Sequence, residues 1–365
     1  MRQQDAMGQQ PVLVRIPVEP VEAAMEADAR DAALRQTVAV RGPVFGVVSQ
    51  KEGEGRRWRV VIEVTHSCPQ VARDELNSRL WFRAKDDAKD KTERRALLAA
   101  VSRLETEELT DLTVLDTRYR VVRAEEYAGM NADGGLEFPR PTDVEPLNPT
   151  WDHSSGPGVD DGLVLDPDAP LSPVQGVERL SLRSLAYTGS RYPDNVRRDS
   201  ARAVKTHPDV VLMPTGFMVV ERSGDKGWTM GGRLHATPHD ARKSLNFILT
   251  VWEPRMRGLI PIGALMDTDA HSVVAEGTSP AVAELAEYAA ASDRLREGML
   301  NELEAHGTTY RIARIRRLVR WGPDGPESQR PSDIASQPPA VLHLRLDEDG
   351  VVHPDEPEEE KSTSS

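Results

Sequence analysis

The chain has 365 residues, of which 38% are hydrophobic and only 5% aromatic, with one cysteine and a formal net charge of −13. This composition supports a modest core and excludes a collagen-like, disulfide-stapled or wholly disordered chain. No apolar run approaches the roughly 20 residues of a spanning helix, and the first residues lack the basic and apolar regions of a secretory signal, so we expect a cytoplasmic protein with no membrane partner.

The acidity is confined to two segments of the chain. Residues 129–176 carry nine acids against one arginine, and residues 347–365 carry eight acids against one lysine. Because the remainder is close to neutral, the net charge does not by itself exclude an anionic partner. Within the first segment, a cluster of aspartates lacks the glycine and the terminal glutamate of a calcium loop, so we expect solvated charge there. These are Asp160, Asp161, Asp166 and Asp168.

Two parts of the chain resemble each other in sequence. The longest match pairs twelve residues with twelve others without a gap, and six of the twelve are identical. Shorter matches follow in the same order, which is typical of a duplicated unit. The matching pairs are residues 66–77 with 235–246, 119–123 with 310–314, and 140–143 with 330–333.

The repeat sets the domain boundaries that we predict. A dense run of proline and glycine separates the two units, and such a run lowers the probability of helix and strand alike. We therefore expect a disordered acidic linker between the units and a disordered acidic tail after them. The predicted segments are an N-terminal arm (1–20), a first unit (21–150, of which 129–150 begins the linker), a linker (151–192), a second unit (193–344) and a tail (345–365).

Each unit has the pattern helix, strand, strand, helix, helix, strand. Segments rich in valine, isoleucine and tryptophan flank glycine-containing turns, which is typical of hairpins. Pro69 and Pro238 suit the first turn of a helix, where the fixed φ of proline is favourable. Strands and helices are grouped and do not alternate, so the fold class is α+β. The predicted strands are 44–49, 57–65 and 119–126 in the first unit and 217–221, 228–235 and 310–321 in the second.

The repeated helix starts provide the preferred ligand site. His66 and Arg73 in the first unit match His235 and Arg242 in the second, and each pair flanks a helix N-terminus, where free backbone N–H groups attract anions. This pattern predicts a small anionic ligand. The lone Cys68 occupies a similar position, but its counterpart in the repeat is a threonine, so we expect a capping side chain in preference to a catalytic thiol.

An insertion in the second unit offers a possible metal site. Residues 253–279 contain an apolar, strand-like run followed by Asp267, Asp269 and His271. Alternate residues of an extended chain share a face, so these three side chains could converge on a divalent metal. An ordinary polar loop has the same composition. A metal-dependent or other hydrolase-type enzyme is therefore the alternative to a binding protein.

The last predicted strand is rich in arginine, which leaves nucleic-acid binding as a second alternative. Aromatic residues at both ends of this strand could stack on bases. The mobile acidic segments could instead neutralise the guanidinium groups, so a small anionic ligand or a protein is the more favoured partner. The arginines concerned are Arg311, Arg314, Arg316, Arg317 and Arg320.

Two adjacent segments carry a family resemblance. They are Arg191-Tyr-Pro-Asp-Asn-Val-Arg-Arg-Asp-Ser-Ala-Arg202 and His207-Pro-Asp-Val-Val-Leu-Met-Pro-Thr-Gly-Phe217. The chain resembles a functionally uncharacterised family of soluble actinobacterial proteins, a domain of unknown function, and this resemblance implies no activity and no catalytic residues. Phosphate-binding, dinucleotide-binding, nucleophile-elbow and zinc motifs are absent from the sequence, so no cofactor is expected and binding is favoured over catalysis.

Overall fold

The protein is described from a computed structural model. The described residues are 11–33, 37–131, 134–152, 154, 156–224, 226–230, 232–277 and 280–353. The helices are α1 (Pro20–Ala33), α2 (Pro69–Phe82), α3 (Lys91–Leu104), α4 (Pro173–Leu182), α5 (Asp194–Thr206), α6 (Pro238–Phe247), α7 (Glu253–Met256), α8 (Ala270–Glu276) and α9 (Val282–Gly298); π-helical segments Arg83–Asp87 and Ile248–Trp252 continue α2 and α6. The strands are β1 (Thr37–Lys51), β2 (Trp58–His66), β3 (Asp111–Val114), β4 (Thr117–Met130), β5 (Val164–Leu165), β6 (Asp209–Leu212), β7 (Gly216–Ser223), β8 (Thr229–Met230), β9 (Glu302–Ala305), β10 (Thr308–Gly322), β11 (Gly325–Pro326), β12 (Arg345–Leu346) and β13 (Val352–His353).

The mixed α+β class is confirmed, with one large antiparallel sheet. Its strand order is β5-β2-β1-β4-β10-β7-β8, while β3 also pairs with β4, and β6, β9 and β11 pair with β10. The predicted helix starts at Pro69 and Pro238 are also confirmed. Short strands β3 and β9 were not predicted from the sequence.

A ladder between β4 and β10 joins the two halves of the sheet. Glu126 lies opposite Arg317 at its centre, with Ala128 opposite Ile315 on one side and Ala124 opposite Val319 on the other. These two long strands, one from each unit, thus continue one sheet, and no edge is exposed between them.

The helices of both units lie on one face of this sheet. One core cluster packs α2 and α3 against Val121 of β4, and another packs α6 and α9 against Ile312 of β10. Directly paired residues share a face of a sheet, and residues two apart along a strand do as well. The register of the β4–β10 ladder therefore places both helical clusters on the same face, which we call the helical face.

The expectation of a disordered linker was wrong for Asp160. Its side chain is buried on the sheet face opposite the helices, where Arg317 donates to its two oxygens at 2.7 and 2.8 Å and the Val64 N–H donates at 2.9 Å. Burying two charges is costly unless they are paired and hydrogen-bonded, and here both conditions are met. This part of the acidic segment is therefore not a solvated loop, because it packs against the sheet face opposite the helices.

Other parts of the predicted linker and tail are also ordered. Leu165 of β5 is buried, and α4 packs over the sheet. In the tail, β12 and β13 form a small hairpin, and Glu348 between them pairs with Arg95 of α3 at 2.6 Å. Residues 354–365 of the predicted tail and 1–10 of the N-terminal arm lie outside the described residues. Within the described ranges, no helix combines the length and the apolarity needed to cross a bilayer.

The insertion at 253–279 differs from its prediction as well. The apolar run from 259 to 266 forms no strand, and Ile262, Leu265 and Met266 are exposed. Pro261 and Gly263 explain the difference, because proline cannot donate to a ladder and glycine weakens a strand interior.

The buried pair of Asp160 and Arg317 generates a stability prediction. Asp160→Asn leaves a buried guanidinium without its counter-charge, so we expect a loss of about 3–5 kcal/mol in the free energy of unfolding measured with denaturant. Glu348→Gln removes one partner of an exposed ion pair and serves as the control, with a midpoint close to that of the wild-type protein. A similar small effect for both variants would contradict a structural role for the buried pair.

Candidate functional site

The predicted site at the start of α2 is occupied by the chain itself. Arg73 is buried and donates to Leu109 O at 2.9 Å, to Gln70 Oε1 at 2.8 Å and to Gln329 Oε1. Gln329 belongs to residues 327–346, which follow β11 and which we call the second arm. Further along this arm, the N–H and hydroxyl of Ser336 both donate to the sulfur of Cys68 at 3.4 Å.

The corresponding helix start at α6 is occupied by the first arm, residues 134–152, which follows β4. Arg242 donates to Glu145 Oε1 at 2.6 Å and to Asn301 Oδ1 at 2.7 Å. The other oxygen of Glu145 accepts from the N–H of His239 in the first turn of α6 at 3.0 Å. A carboxylate of the protein thus fills the anion position that the sequence predicted for a ligand. Each arm crosses to the helix of the other unit.

The two histidines of the predicted site do not face an open anion site. His66 Nε2 lies 3.3 Å from Glu75 Oε1. The backbone of His235 exchanges two hydrogen bonds of 2.8 Å with Phe217, and burial, together with the charge of Arg233, lowers the pKa of its imidazole to about 4. The imidazole of His235 is therefore neutral at pH 7.

The residues of the predicted metal site have separate roles. Asp269 caps α8 by accepting from Ser272 N at 2.8 Å, and His271 Nε2 lies 3.2 Å from Ser292 Oγ. Among the described residues there is no group of three or more His, Cys, Asp or Glu side chains that could hold a metal ion. The structure thus does not bring Asp267, Asp269 and His271 together as a ligand set.

Three arginines of the predicted nucleic-acid strand are buried, and the other two, Arg314 and Arg316, are only partly exposed. Arg317 and Arg320 are almost completely buried, the first on Asp160 and the second against the carbonyl of Arg183 at 3.2 Å. The other three pair with carboxylates, at N–O distances of 2.6, 3.1 and 2.7 Å for Arg311, Arg314 and Arg316. Such buried, paired groups do not form the exposed cationic path that a nucleic-acid backbone follows.

An open cleft lies on the helical face between the two helical clusters. It encloses about 860 Å³ and is bounded by α1, α4, the first arm, Tyr127 of β4 and the middle of β10. Met25 and Val38 on one side and Val177 on the other give it apolar walls. No histidine, cysteine or lysine is among the described residues that line it.

The floor of the cleft carries three guanidinium groups. Arg316 donates to Glu178 Oε1 at 2.7 Å, Arg314 donates to Asp143 Oδ2 at 3.1 Å, and Arg140 donates to Glu137 Oε1 at 2.7 Å. The Tyr127 hydroxyl also donates to Glu178, at 2.8 Å. Burial and the Glu178 carboxylate raise the pKa of Tyr127 well above its ordinary value, so this phenol stays protonated and acts as a donor.

Glu26 of α1 supplies a buried carboxylate to the wall. Only 6% of Glu26 is exposed, and its Oε1 accepts from Val174 N at the start of α4 at 2.8 Å. Its Oε2 is buried and has no hydrogen-bond partner among the described residues. An unsatisfied buried acceptor costs about 1–3 kcal/mol, which a donor on a bound molecule would recover.

Sequence reasoning singled out Arg314 and Arg316 of this cleft, but as parts of another surface. It missed Glu26, Arg140 as a site residue, and Tyr127. Only one local signal was available: Glu26 and Arg30 are four residues apart on a helix, which is a common ion-pair spacing. Nothing local connects residue 26 with residue 316.

The chain was compared with known families and structures. Residues 19–336 match the model of a family of unknown function, DUF5954. The chain belongs to the DUF5954 family. The DUF5954 match runs from the residue before α1 to Ser336, which contacts Cys68, and so includes most residues that line the cleft and the crossing of both arms. No curated protein and no solved structure matches the chain.

The lowered pKa of His235 predicts a pH dependence of stability. The folded state favours the neutral imidazole, so its contribution is present above the ordinary pKa of about 6.5 and is lost as the pH falls towards 4. Denaturant titrations between pH 6.5 and pH 4 measure this loss in the free energy of unfolding. We expect the loss to be smaller in His235→Gln than in the wild-type protein, by an amount on the order of 3 kcal/mol. Parallel profiles for the two proteins would show that His235 is not the group responsible.

Proposed function

We propose that the protein binds a small anionic ligand with an apolar body in the cleft between α1, α4 and the central sheet. The observation that carries this proposal is the combination, in one open cavity, of three floor arginines and a buried carboxylate oxygen that has no hydrogen-bond partner in the described part of the chain. The cavity volume of about 860 Å³ is within the range of small-molecule sites, roughly 300–1,000 Å³.

The floor arginines support an anionic ligand. A guanidinium has five N–H donors in a fixed fork, and the Arg314 side chain donates from Nε to Asp143 while its Nη1 lies 3.8 Å from Glu137 Oε1. Arginine binds carboxylate and phosphate groups through two parallel hydrogen bonds, and its weak hydration favours this in partly buried sites. The acids beside these arginines hold the guanidinium groups in place for a ligand.

The walls support an apolar ligand body. Val177 is 68% exposed and Met25 is 45% exposed, so both side chains have apolar surface that a ligand would remove from water. Burial of such surface contributes about 25 cal/mol per Å². A hydrophilic anion such as inorganic phosphate would leave these walls wet.

Binding is supported in preference to catalysis by the hydroxyl groups of the cleft. Thr142 donates its hydroxyl proton to Asp28 at 2.8 Å, Ser181 donates to Glu178 O at 2.8 Å, and Ser172 caps α4. Only the Thr142 hydroxyl contacts a carboxylate, whereas the hydroxyls of Ser181 and Ser172 contact backbone groups and lack the general base that nucleophilic catalysis requires.

A tandem duplication is the second part of the proposal, and it concerns how the cleft arose. In support, the strand neighbours are equivalent in the two units. In the first unit β1 and β3 pair with β4, and in the second unit β6, β7 and β9 pair with β10. At the centre of the β4–β10 ladder, Glu126 pairs with Arg317, and these two residues take equivalent positions in the two units. Equivalent residues also meet at the centre of an isologous interface. The exchanged arms add equivalent contacts, Arg123 with Asp333 and Arg314 with Asp143.

Ligand binding is tested by thermal unfolding with matched pairs of probes. We expect benzoate, hexanoate and benzenesulfonate at millimolar concentration to raise the melting temperature by about 2–4 °C, whereas benzamide and hexanamide do not, because only the anions engage the floor arginines. Val177→Trp fills the cleft from an exposed wall position and should abolish the shift. Val341→Trp, at an exposed position of the second arm that does not line the cleft, is the matched control and should retain the shift.

Two results would overturn the proposal. One is the absence of a shift with every anion, and the other is an equal shift in Val177→Trp and in the wild-type protein.

A further inference from the structure

The second unit exposes an apolar surface in a connection that the first unit lacks. The first unit has only residues 88–90 between its π-helical segment and α3, whereas residues 253–281 separate the π-helical segment of the second unit from α9. Within this longer connection, residues 258–266 contain no charged side chain. Five large apolar side chains in and beside the connection are exposed, and we call them the insertion patch. They are Trp252 (50%), Met256 (51%), Ile262 (74%), Leu265 (75%) and Met266 (67%).

A buried arginine holds the insertion patch together. Arg255 of α7 is only 6% exposed, and it donates to the loop carbonyls of Leu265 at 2.8 Å and Thr268 at 3.1 Å. The fixed fork of the guanidinium thereby joins the helix to the loop. Trp252 and Met256 are four residues apart along the helix, so they are neighbours on its surface. The helical and the loop residues of the patch are therefore held close together.

The apolar side chains of the patch stay outside because other residues of the connection already fill the core. Ile260 and Ala270, on either side of the exposed loop residues, are buried in the core cluster of the second unit. The N–H groups of Leu259 and Ile260 both donate to Pro254 O, at 2.9 and 3.2 Å. The loop is thus anchored at both of its ends, and its exposed side chains form a fixed part of the protein surface.

The size of the insertion patch matches one half of a small protein interface. A fully exposed aliphatic side chain presents roughly 100 Å² and a tryptophan roughly 200 Å², so the five exposures correspond to about 350–400 Å² of apolar surface. Homodimer interfaces are about 65% apolar, so two such patches that face each other bury about 1,100–1,200 Å² in total. This area is at the lower end of the range for specific interfaces, and it is sufficient for a dimer of moderate affinity.

The charges beside the patch suit a second copy of the chain better than a membrane. Glu253 and Arg257 are four residues apart at the ends of α7, and the Arg257 side chain is 39% exposed. Its nitrogens lie 3.6 Å from Glu253 and 3.9 Å from Glu284, which is too far for hydrogen bonds, so the guanidinium can pair with a further carboxylate. Asp267, which follows the patch directly, is exposed and would be repelled by an anionic bilayer.

We propose that the insertion patch is the interface of a dimer of this chain, with the two copies related by a two-fold axis. A two-fold interface has the same surface on both sides, and an apolar patch is complementary to itself. With α7 antiparallel to α7 of the second copy, Arg257 of each copy lies opposite Glu253 of the other. The apolar side chains then form the centre of the interface, and the charged side chains form its polar rim.

The dimer is tested by sedimentation velocity of the full chain at about 1–200 μM. We expect a monomer–dimer equilibrium with a Kd on the order of 10 μM, because the interface is small. Ile262→Glu combined with Leu265→Glu places charge in the apolar centre and should raise this Kd at least about 30-fold. Since both side chains are exposed in the monomer, the melting temperature at 1 μM should not change.

Leu147→Glu combined with Val341→Glu is the matched control. Both residues are exposed apolar side chains outside the patch, at 98% and 73%, so the Kd of this variant should equal that of the wild-type protein. A wild-type protein that is monomeric at 200 μM overturns the proposal, as does unchanged dimerisation of the Ile262 and Leu265 variant. Equal weakening in both double variants also overturns it, because the association would then be non-specific.

The two-fold arrangement is tested by reversing charges at the rim. Arg257→Glu places like charges opposite each other at two positions of the dimer, and Glu253→Arg does the same, so each variant should self-associate about tenfold more weakly. An equimolar mixture of the two variants has a glutamate opposite an arginine at both positions, and should dimerise within about threefold of the wild-type Kd. A mixture that associates no better than the separate variants contradicts the arrangement.

A bilayer is the competing partner for an exposed apolar loop. We expect the protein to remain in the supernatant when it is centrifuged with vesicles of phosphatidylcholine and phosphatidylserine. Sedimentation of the wild-type protein with these vesicles, lost on Ile262→Glu combined with Leu265→Glu, would assign the patch to a membrane and overturn the proposal.

Discussion

The antiparallel ladder between β4 and β10 determines where the other parts of the protein lie. It places Glu126 opposite Arg317, and the guanidinium of Arg317 donates to Asp160 on the sheet face opposite the helices. Since a buried arginine requires its counter-charge, the segment that contains Asp160 is held against the sheet. The same register puts Arg316 and Tyr127 side by side on the helical face, where they form the floor of the cleft. The buried ion pair and the cleft are thus two consequences of one strand pairing.

The exchange of the arms explains which charged side chains pair with one another. Arg73 lies near the start of α2 and Arg242 near the start of α6. Each donates to the arm that follows the last strand of the other unit. In the second unit, Glu145 occupies the helix N-terminus that would otherwise attract an anion from solution. The acids of the first arm therefore pair with arginines of β10 and α6, and part of the negative charge of residues 129–176 is neutralised within the protein. The proposed ligand site is the cleft, where the arginines are partly exposed and one carboxylate oxygen has no partner among the described residues.

The sequence was informative where structure depends on neighbouring residues. The longer strands and the helix starts at Pro69 and Pro238 follow from local preferences, and the α+β class follows from their grouping. The strand predicted at 228–235 was wrong in extent, since only Thr229–Met230 of this range forms a strand of the sheet. The partners of charged side chains were not accessible in this way. Arg317 and Asp160 are 157 residues apart, and Arg242 and Glu145 are 97 residues apart, so neither pair leaves a local pattern. The acidic proline-rich segment resembles a disordered linker in composition, and only tertiary pairing makes it part of the core. The cleft combines α1 with β10, and no periodicity connects these two elements.

The central claim is that the β4–β10 ladder and the exchanged arms make the two units one cooperative structure. Native-state hydrogen exchange as a function of denaturant tests this claim most directly, because it assigns an opening free energy to each protected amide. We expect the slowest amides of β1 and β4 and those of β7 and β10 to converge on one opening free energy, with the amides of Glu126 and Arg317 among them. Two separate limiting values, one for each half of the sheet, would show that the units unfold independently and would contradict the account.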